Sequence, residues 1–271
     1  MNGPRDWRAR EPRRAGVIRR MLPTALAFAV VVAGLGYLHG DLRELLGTAP
    51  GSPRSALATH RVYDTGPVQA RCDTLPRDID ADIRVTLRAL TGCLDRMWAA
   101  TLAQADIDYT PPEEVRLVGT PEEAACGIDD YDWAGIYCPG DRVVNVLVED
   151  RRAFPIMFTL AHEYAHHVQE VSGIADQRGP EMFDEAWSRR LELQADCMAA
   201  ATLRIVEPTR LRDLRRLAGA ADGDPGAAGQ EEAYRQSHGS GANSARWMAR
   251  GERAGTVGAC NTWAAPAEQV S

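Results

Sequence analysis

Not one lysine occurs among the 271 residues, so all 31 basic side chains are arginine. With alanine abundant, that absence reads as a habit of genome composition, and no function is drawn from it. Positive charge is also scarce beyond the start of the chain. The formal net charge is -7, and residues 1–20 carry seven arginines against Asp6 and Glu11, or +5, which leaves -12 for the rest. An acidic globule of this kind argues against a nucleic-acid partner. No CxxC pair is present, which argues against a closely spaced structural zinc site. No repeat of solenoid period is found, which removes the stacked-repeat architectures. Long hydrophobic runs are missing too, with one exception.

The exception is residues 21–40, MLPTALAFAVVVAGLGYLHG. It is uncharged and about as long as a helix needs to cross a bilayer. Arginines on its N-terminal side predict that this side is cytoplasmic. The length favours an uncleaved single-pass anchor over the competing reading, a cleaved signal peptide with small residues Gly34 and Gly36 late in the run. Either way, everything after about residue 41 is expected outside the cytoplasm. Six cysteines fit that export, because an oxidising compartment lets an even set of thiols pair. Fifteen complete pairings are possible with six. Cys126 and Cys138 flank a short loop and are the best pair; Cys72 with Cys93 and Cys197 with Cys260 follow by elimination.

Residues 41–65 mix Gly, Pro, Ser and Ala without periodicity and read as a linker, with His60 a solvated side chain. From Ile79 to Leu102, apolar residues recur every three or four positions and predict an amphipathic helix, with Asp78 and Asp80 as candidate caps. Residues 114–118, 134–138 and 142–148 read as three strands. The Pro139, Gly140, Asp141 turn makes the last two a hairpin in a small antiparallel sheet. A helix opened by Asp150 and Pro155 should end at Gly173, and a second should run over 180–206 until Pro208 stops it. Shorter helices are expected around Leu211 to Ala218 and over 243–250. The domain map is therefore a basic head (1–20), an anchor (21–40), a linker (41–65) and one α+β, mainly helical domain (66–265).

The first of the two long helices carries His162, Glu163, Tyr164, Ala165 and His166. Residues four apart share a helix face, so both imidazoles can reach one zinc ion, and Glu163, one step round, can reach a water activated by it. A catalytic zinc site takes three protein ligands and keeps an open position, so a third ligand is required. Glu192 is the candidate. It lies in LELQADC on the second helix, among apolar neighbours where a carboxylate needs a positive partner. Asp196, four residues on, shares its face and is placed to hydrogen-bond the outer ring nitrogen of a ligand histidine. The 173–179 segment gives the chain room to reverse between the helices. His167 falls off the two-histidine face and reads as structural or solvated. His238 is a candidate donor to a developing oxyanion, and Tyr137 a weaker one.

Several stretches, in order, resemble one family: GIYCP from Gly135, HEYAHHVQ from His162, LELQADCMAA from Leu191, SHGSGANSARWMARG from Ser237, and CNTW at Cys260. They are similar to the bacterial predicted neutral zinc metallopeptidases, a gluzincin-like group in which a glutamate on a following helix completes HExxH. The resemblance implies a zincin-like fold, His162, His166 and Glu192 as zinc ligands, Glu163 as the catalytic residue, and export behind an N-terminal membrane anchor. The chain departs from the family in its arginine-rich head and in a short, Gly-rich stretch between Ala200 and Ser237. The expected partner is a peptide or protein substrate. A silent, zinc-stabilised envelope scaffold is the alternative, and Glu163 speaks against it, since a scaffold has no need of that side chain.

Overall fold

The computed structural model describes residues 53–69, 72–126, 133–148, 152–175, 185–220 and 235–271. The basic head and the 21–40 run lie outside them. Among the described residues no helix is long and apolar enough to cross a membrane.

Folding begins earlier than the expected linker boundary. A short helix α1 (Pro53–Ala58) and a 3-10 turn (Arg61–Asp64) belong to the compact unit Pro53–Ser271. Leu57 and Val62 are fully buried. His60 caps that turn, its Nδ1 accepting the Val62 N–H at 3.2 Å. Two isolated apolar residues leave no periodicity to read, which is why the segment looks like a linker in sequence. The unit also runs past residue 265: Val270 is buried, and the Gln269 carbonyl accepts the Trp247 indole N–H at 2.7 Å.

Helix α2 (Ile83–Leu102) buries the expected stripe, Leu87, Leu90, Leu94, Met97, Trp98 and Leu102. Each such side chain stabilises by about 1.5–3 kcal/mol. Its cap is Asp82, whose carboxylate accepts the Val85 N–H at 3.0 Å, and neither Asp78 nor Asp80. Asp80 instead accepts the Ala153 N–H at 2.9 Å, satisfying a first-turn donor of the next helix.

The sheet consists of β1 (Glu114–Val118), β2 (Gly135–Cys138) and β3 (Val143–Leu147), in the order β1-β3-β2. The β2–β3 hairpin is antiparallel as expected, but β1 runs parallel to β3, so the sheet is mixed rather than antiparallel. The long connection from β1 to β2 lets the hairpin place β3 innermost. There Val143, Val144, Asn145 and Val146 are buried, the continuous apolar run of a central strand rather than the alternation of an edge. Asn145 is satisfied across the sheet by the Ala125 N–H (3.0 Å) and the Ile136 carbonyl (3.2 Å).

Helix α3 (Ala153–Val171) packs against β2 and β3 and against α4 (Glu185–Leu203). Pro155 sits in the first turn, where no N–H is needed. Gly173 ends α3 in the left-handed region at φ +83°, its N–H donating to the Glu170 carbonyl at 2.8 Å. After α4, Pro208 opens α5 (Pro208–Ala220), and Ser240 caps α6 (Gly241–Ala254), which is longer at both ends than the expected 243–250. A Cβ at Gly251 would collide with the Cys197 carbonyl, so glycine lets α6 cross closely over α4. Three disulfides, Cys72–Cys93, Cys126–Cys138 and Cys197–Cys260, match the expected pairing. The last ties α4 to the segment after α6.

Candidate metal centre

Packing of α3 against α4 brings His162 and His166 from one helix to Glu192 on the other. The Nε2 atoms of the two histidines are 3.1 Å apart, and Glu192 Oε2 lies 3.1 Å from His162 Nε2 and 3.3 Å from His166 Nε2. Their side chains are only 14 to 18% exposed. Zinc takes nitrogen and oxygen ligands at about 2.0–2.2 Å in a tetrahedron, whose ligand atoms therefore stand about 3.3 Å apart. The observed triangle has that edge. Among the described residues this is the group of metal-ligating side chains whose donor atoms converge.

The outer ring nitrogens explain what the triangle needs. His162 Nδ1–H donates to Asp196 Oδ1 at 3.0 Å, and Asp196 Oδ2 accepts the Ser244 hydroxyl at 2.5 Å. His166 Nδ1–H donates to Gln169 Oε1 at 2.9 Å. The Gln169 amide cannot turn round, because its NH2 donates to the Leu191 carbonyl (2.8 Å) and to Gln194 Oε1 (3.0 Å). Gln194 donates in turn to the Tyr63 hydroxyl and to the Cys260 carbonyl. With both Nδ1 protons engaged, both Nε2 lone pairs and a carboxylate oxygen point at one place. Such an arrangement holds together only around a cation or extra protons.

The electrostatics agree. Burial opposes charge on His162, yet hydrogen bonds to Asp196 and Glu192 outweigh it and hold its pKa well above the ordinary 6.5. His166 is raised in the same way, burial being overcome by Glu192. Burial would raise Glu192, but the facing His166 and His162 hold it well below the usual carboxylate range. Without a cation the site draws protons.

Glu163 is 6% exposed and packed against β2. A Cβ at Gly135 would come within 2.8 Å of Glu163 Cγ and 2.5 Å of Thr159 Cγ2, so only glycine lets the strand lie this close to α3. Burial pushes the Glu163 pKa up, against the pull of His162 and His166 and of the Tyr137 backbone N–H. His238 reaches the same place from the segment before α6, with Nε2 3.4 Å from Glu192 Oε2 and Nδ1 2.7 Å from the Ser237 hydroxyl. Burial lowers its pKa, so it is neutral near pH 7. These residues line a cleft of about 580 Å³, with Trp133, Ile136 and Leu191 on its apolar walls.

The chain matches, over residues 8–263, the sequence pattern of the family described as "Putative neutral zinc metallopeptidase". It belongs to that family. Proteins similar to it include the uncharacterized proteins Rv2575 of Mycobacterium tuberculosis and Mb2605 of Mycobacterium bovis, each 28% identical over 254 residues that cover 82% of this chain and 85% of the relative. YpfJ of Escherichia coli K12, also uncharacterized, is 26% identical over 267 residues, covering 88% of this chain and 86% of its own. No solved structure matches the chain. The donor set fits the ion that the family's description names, with two imidazoles, one carboxylate and tetrahedral spacing.

Two other expectations resolve here. His167 is fully buried, with Nε2–H donating to the Thr110 carbonyl at 2.7 Å, and burial lowers its pKa; it is structural. The Tyr137 hydroxyl lies between His167 Nδ1 (3.0 Å) and Glu170 Oε2 (2.8 Å), engaged there rather than aimed at the triangle. Sequence reasoning missed Gln169, Gln194 and Ser244. Gln169 had left one sign, a polar residue three positions after His166 and so beside it on the helix.

Proposed function

We propose that this protein is a zinc-dependent peptidase that hydrolyses peptide bonds outside the cytoplasm, held at the membrane by residues 21–40. The observation that carries the reading is the triangle of lone pairs from His162, His166 and Glu192 beside the buried carboxylate of Glu163 in an open cleft. His162, His166 and Glu192 would hold the zinc, which would supply Lewis-acid chemistry, lowering the pKa of a water to about 7 and polarising the scissile carbonyl.

The chain's own residues do the rest. Asp196 and Gln169 hold the imidazoles in the tautomer that keeps Nε2 free, so the ligands are set before metal arrives. Glu163, with its pKa raised by burial, takes the proton of the attacking water and passes it to the leaving amine. Neutral His238, its Nδ1 accepting from Ser237, presents Nε2–H to the carbonyl oxygen as negative charge develops. Strand β2 is an edge of the sheet, and the backbone groups of Gly135 and the carbonyl of Tyr137 face away from β3, while the Tyr137 N–H meets Glu163. An extended peptide can pair there, which brings its carbonyl beside Glu163.

Three disulfides support an oxidising compartment. The anchor reading rests on the length of the 21–40 run and the arginines before it.

Metal analysis of the purified protein, coupled to an unbiased peptide-cleavage profile, tests the reading. Stoichiometric zinc with chelator-sensitive cleavage is the expected result. Zinc without cleavage of any peptide would leave a zinc-stabilised scaffold in its place.

A further inference from the structure

The helix that carries Glu163 brings a second carboxylate to the same cleft. Glu170 is seven residues on, two turns along one face, about 10 Å further down the axis. It lines the cleft together with Ile136, Pro139, Ala175 and Leu191. One of its oxygens accepts the Tyr137 hydroxyl at 2.8 Å, and no ion pair engages it among the described residues. A half-buried carboxylate among apolar walls is complementary to a side chain with an aliphatic stem and a cationic head.

We propose that Glu170 is a specificity-determining residue that selects substrate peptides carrying arginine or lysine near the scissile bond. The inference rests on the peptidase reading and names its substrate class. An extended peptide advances about 3.4 Å per residue. The 10 Å from Glu163 is therefore covered by about three residues, or by one or two plus a long side chain. The net charge of -12 beyond residue 20 also draws cationic peptides toward the domain.

The test uses the zinc-loaded full chain and matched peptide pairs differing only in an arginine or a neutral isostere at each position around the bond. Wild type should cleave the arginine peptide faster at one position, and Glu170→Gln should lower the ratio of the two kcat/KM values about tenfold. Glu170→Arg should turn the preference toward a glutamate peptide. A ratio unchanged in Glu170→Gln, with both peptides slowed alike, would mean a merely structural carboxylate and overturn the proposal. So would a wild type indifferent to basic residues at every position while it cleaves neutral peptides. Failure to cleave any peptide would instead sink the peptidase reading. In that event fluorescence anisotropy with the same peptides decides for Glu170: about tenfold weaker binding of the arginine peptide to Glu170→Gln supports it, and equal binding overturns it.

Discussion

His166 and His167 are consecutive residues on α3, and a rotation of about 100° sends them into different surroundings. His166 turns to α4 and the cleft, where its Nε2 meets Glu192 and its Nδ1–H is fixed by Gln169. His167 turns toward β2 and Thr110, is wholly buried, and finds a backbone carbonyl, a tyrosine hydroxyl and two aromatic edges, those of Tyr109 and Tyr137. Tyr164, beside them, donates to Asp95 at 3.2 Å and anchors the helix to α2. The two faces of one helix thus separate an open, proton-hungry cluster from a closed, internally satisfied one. What distinguishes a ligand histidine from a structural one here is the second partner: an opposing carboxylate with room for a cation, or a carbonyl that completes the ring's hydrogen bonding.

The sharpest break between the faces concerns Glu163. Glu163→Gln should keep zinc at wild-type stoichiometry and lower kcat by about 10²–10⁴-fold; full turnover in this variant would remove Glu163 from the chemistry. Next come the histidines. His166→Ala should lose zinc, as should Glu192→Ala, whereas His167→Ala should keep zinc and lose about 2–4 kcal/mol of stability in denaturant titrations, because it leaves the Thr110 carbonyl unsatisfied and opens a cavity. Zinc loss from both histidine variants alike would erase the comparison. Asp196→Asn and Gln169→Ala should each weaken zinc about 10- to 100-fold in competition with a chromogenic chelator.

The smallest effect is in pH. In chelated protein the raised pKa values of His162 and His166 contribute stability that is complete below 6.5 and fades as pH rises through their folded values. The depressed value of His167 works in the opposite sense: its contribution is complete above 6.5 and is lost as pH falls below it. His167→Gln should therefore flatten only the acid side of a profile of unfolding free energy against pH, by up to about 1.4 kcal/mol per pH unit in denaturant titrations. A change confined to the alkaline side would contradict the assignment.

The metal triangle was legible from sequence because its chemistry is periodic. His162 and His166, and separately Glu192 and Asp196, are each four apart on a helix, and the apolar setting of Glu192 asked for a cation. The disulfides were legible from a short loop and the elimination that followed it. The caps were less so: Asp78, Asp80 and Asp82 are three aspartates within five residues, and only the packing of α3 beside them decides that Asp82 caps α2 while Asp80 serves Ala153. The course of β1 was hidden as well, since a strand's own residues do not say which way its neighbour runs.

What the sequence by itself determined is therefore local: which residues share a helix face, where a hairpin turns, and where glycine and proline end an element, all set by backbone geometry over a few residues. What only the tertiary structure decided is how those faces meet. That Gln169 locks His166 through Gln194 and Cys260, that Ser244 from α6 completes Asp196, and that Glu170 shares a cleft with Glu163 and β2 all follow from helices crossing at distances set by side-chain packing. Contacts between residues tens of positions apart leave no period in the chain to be read.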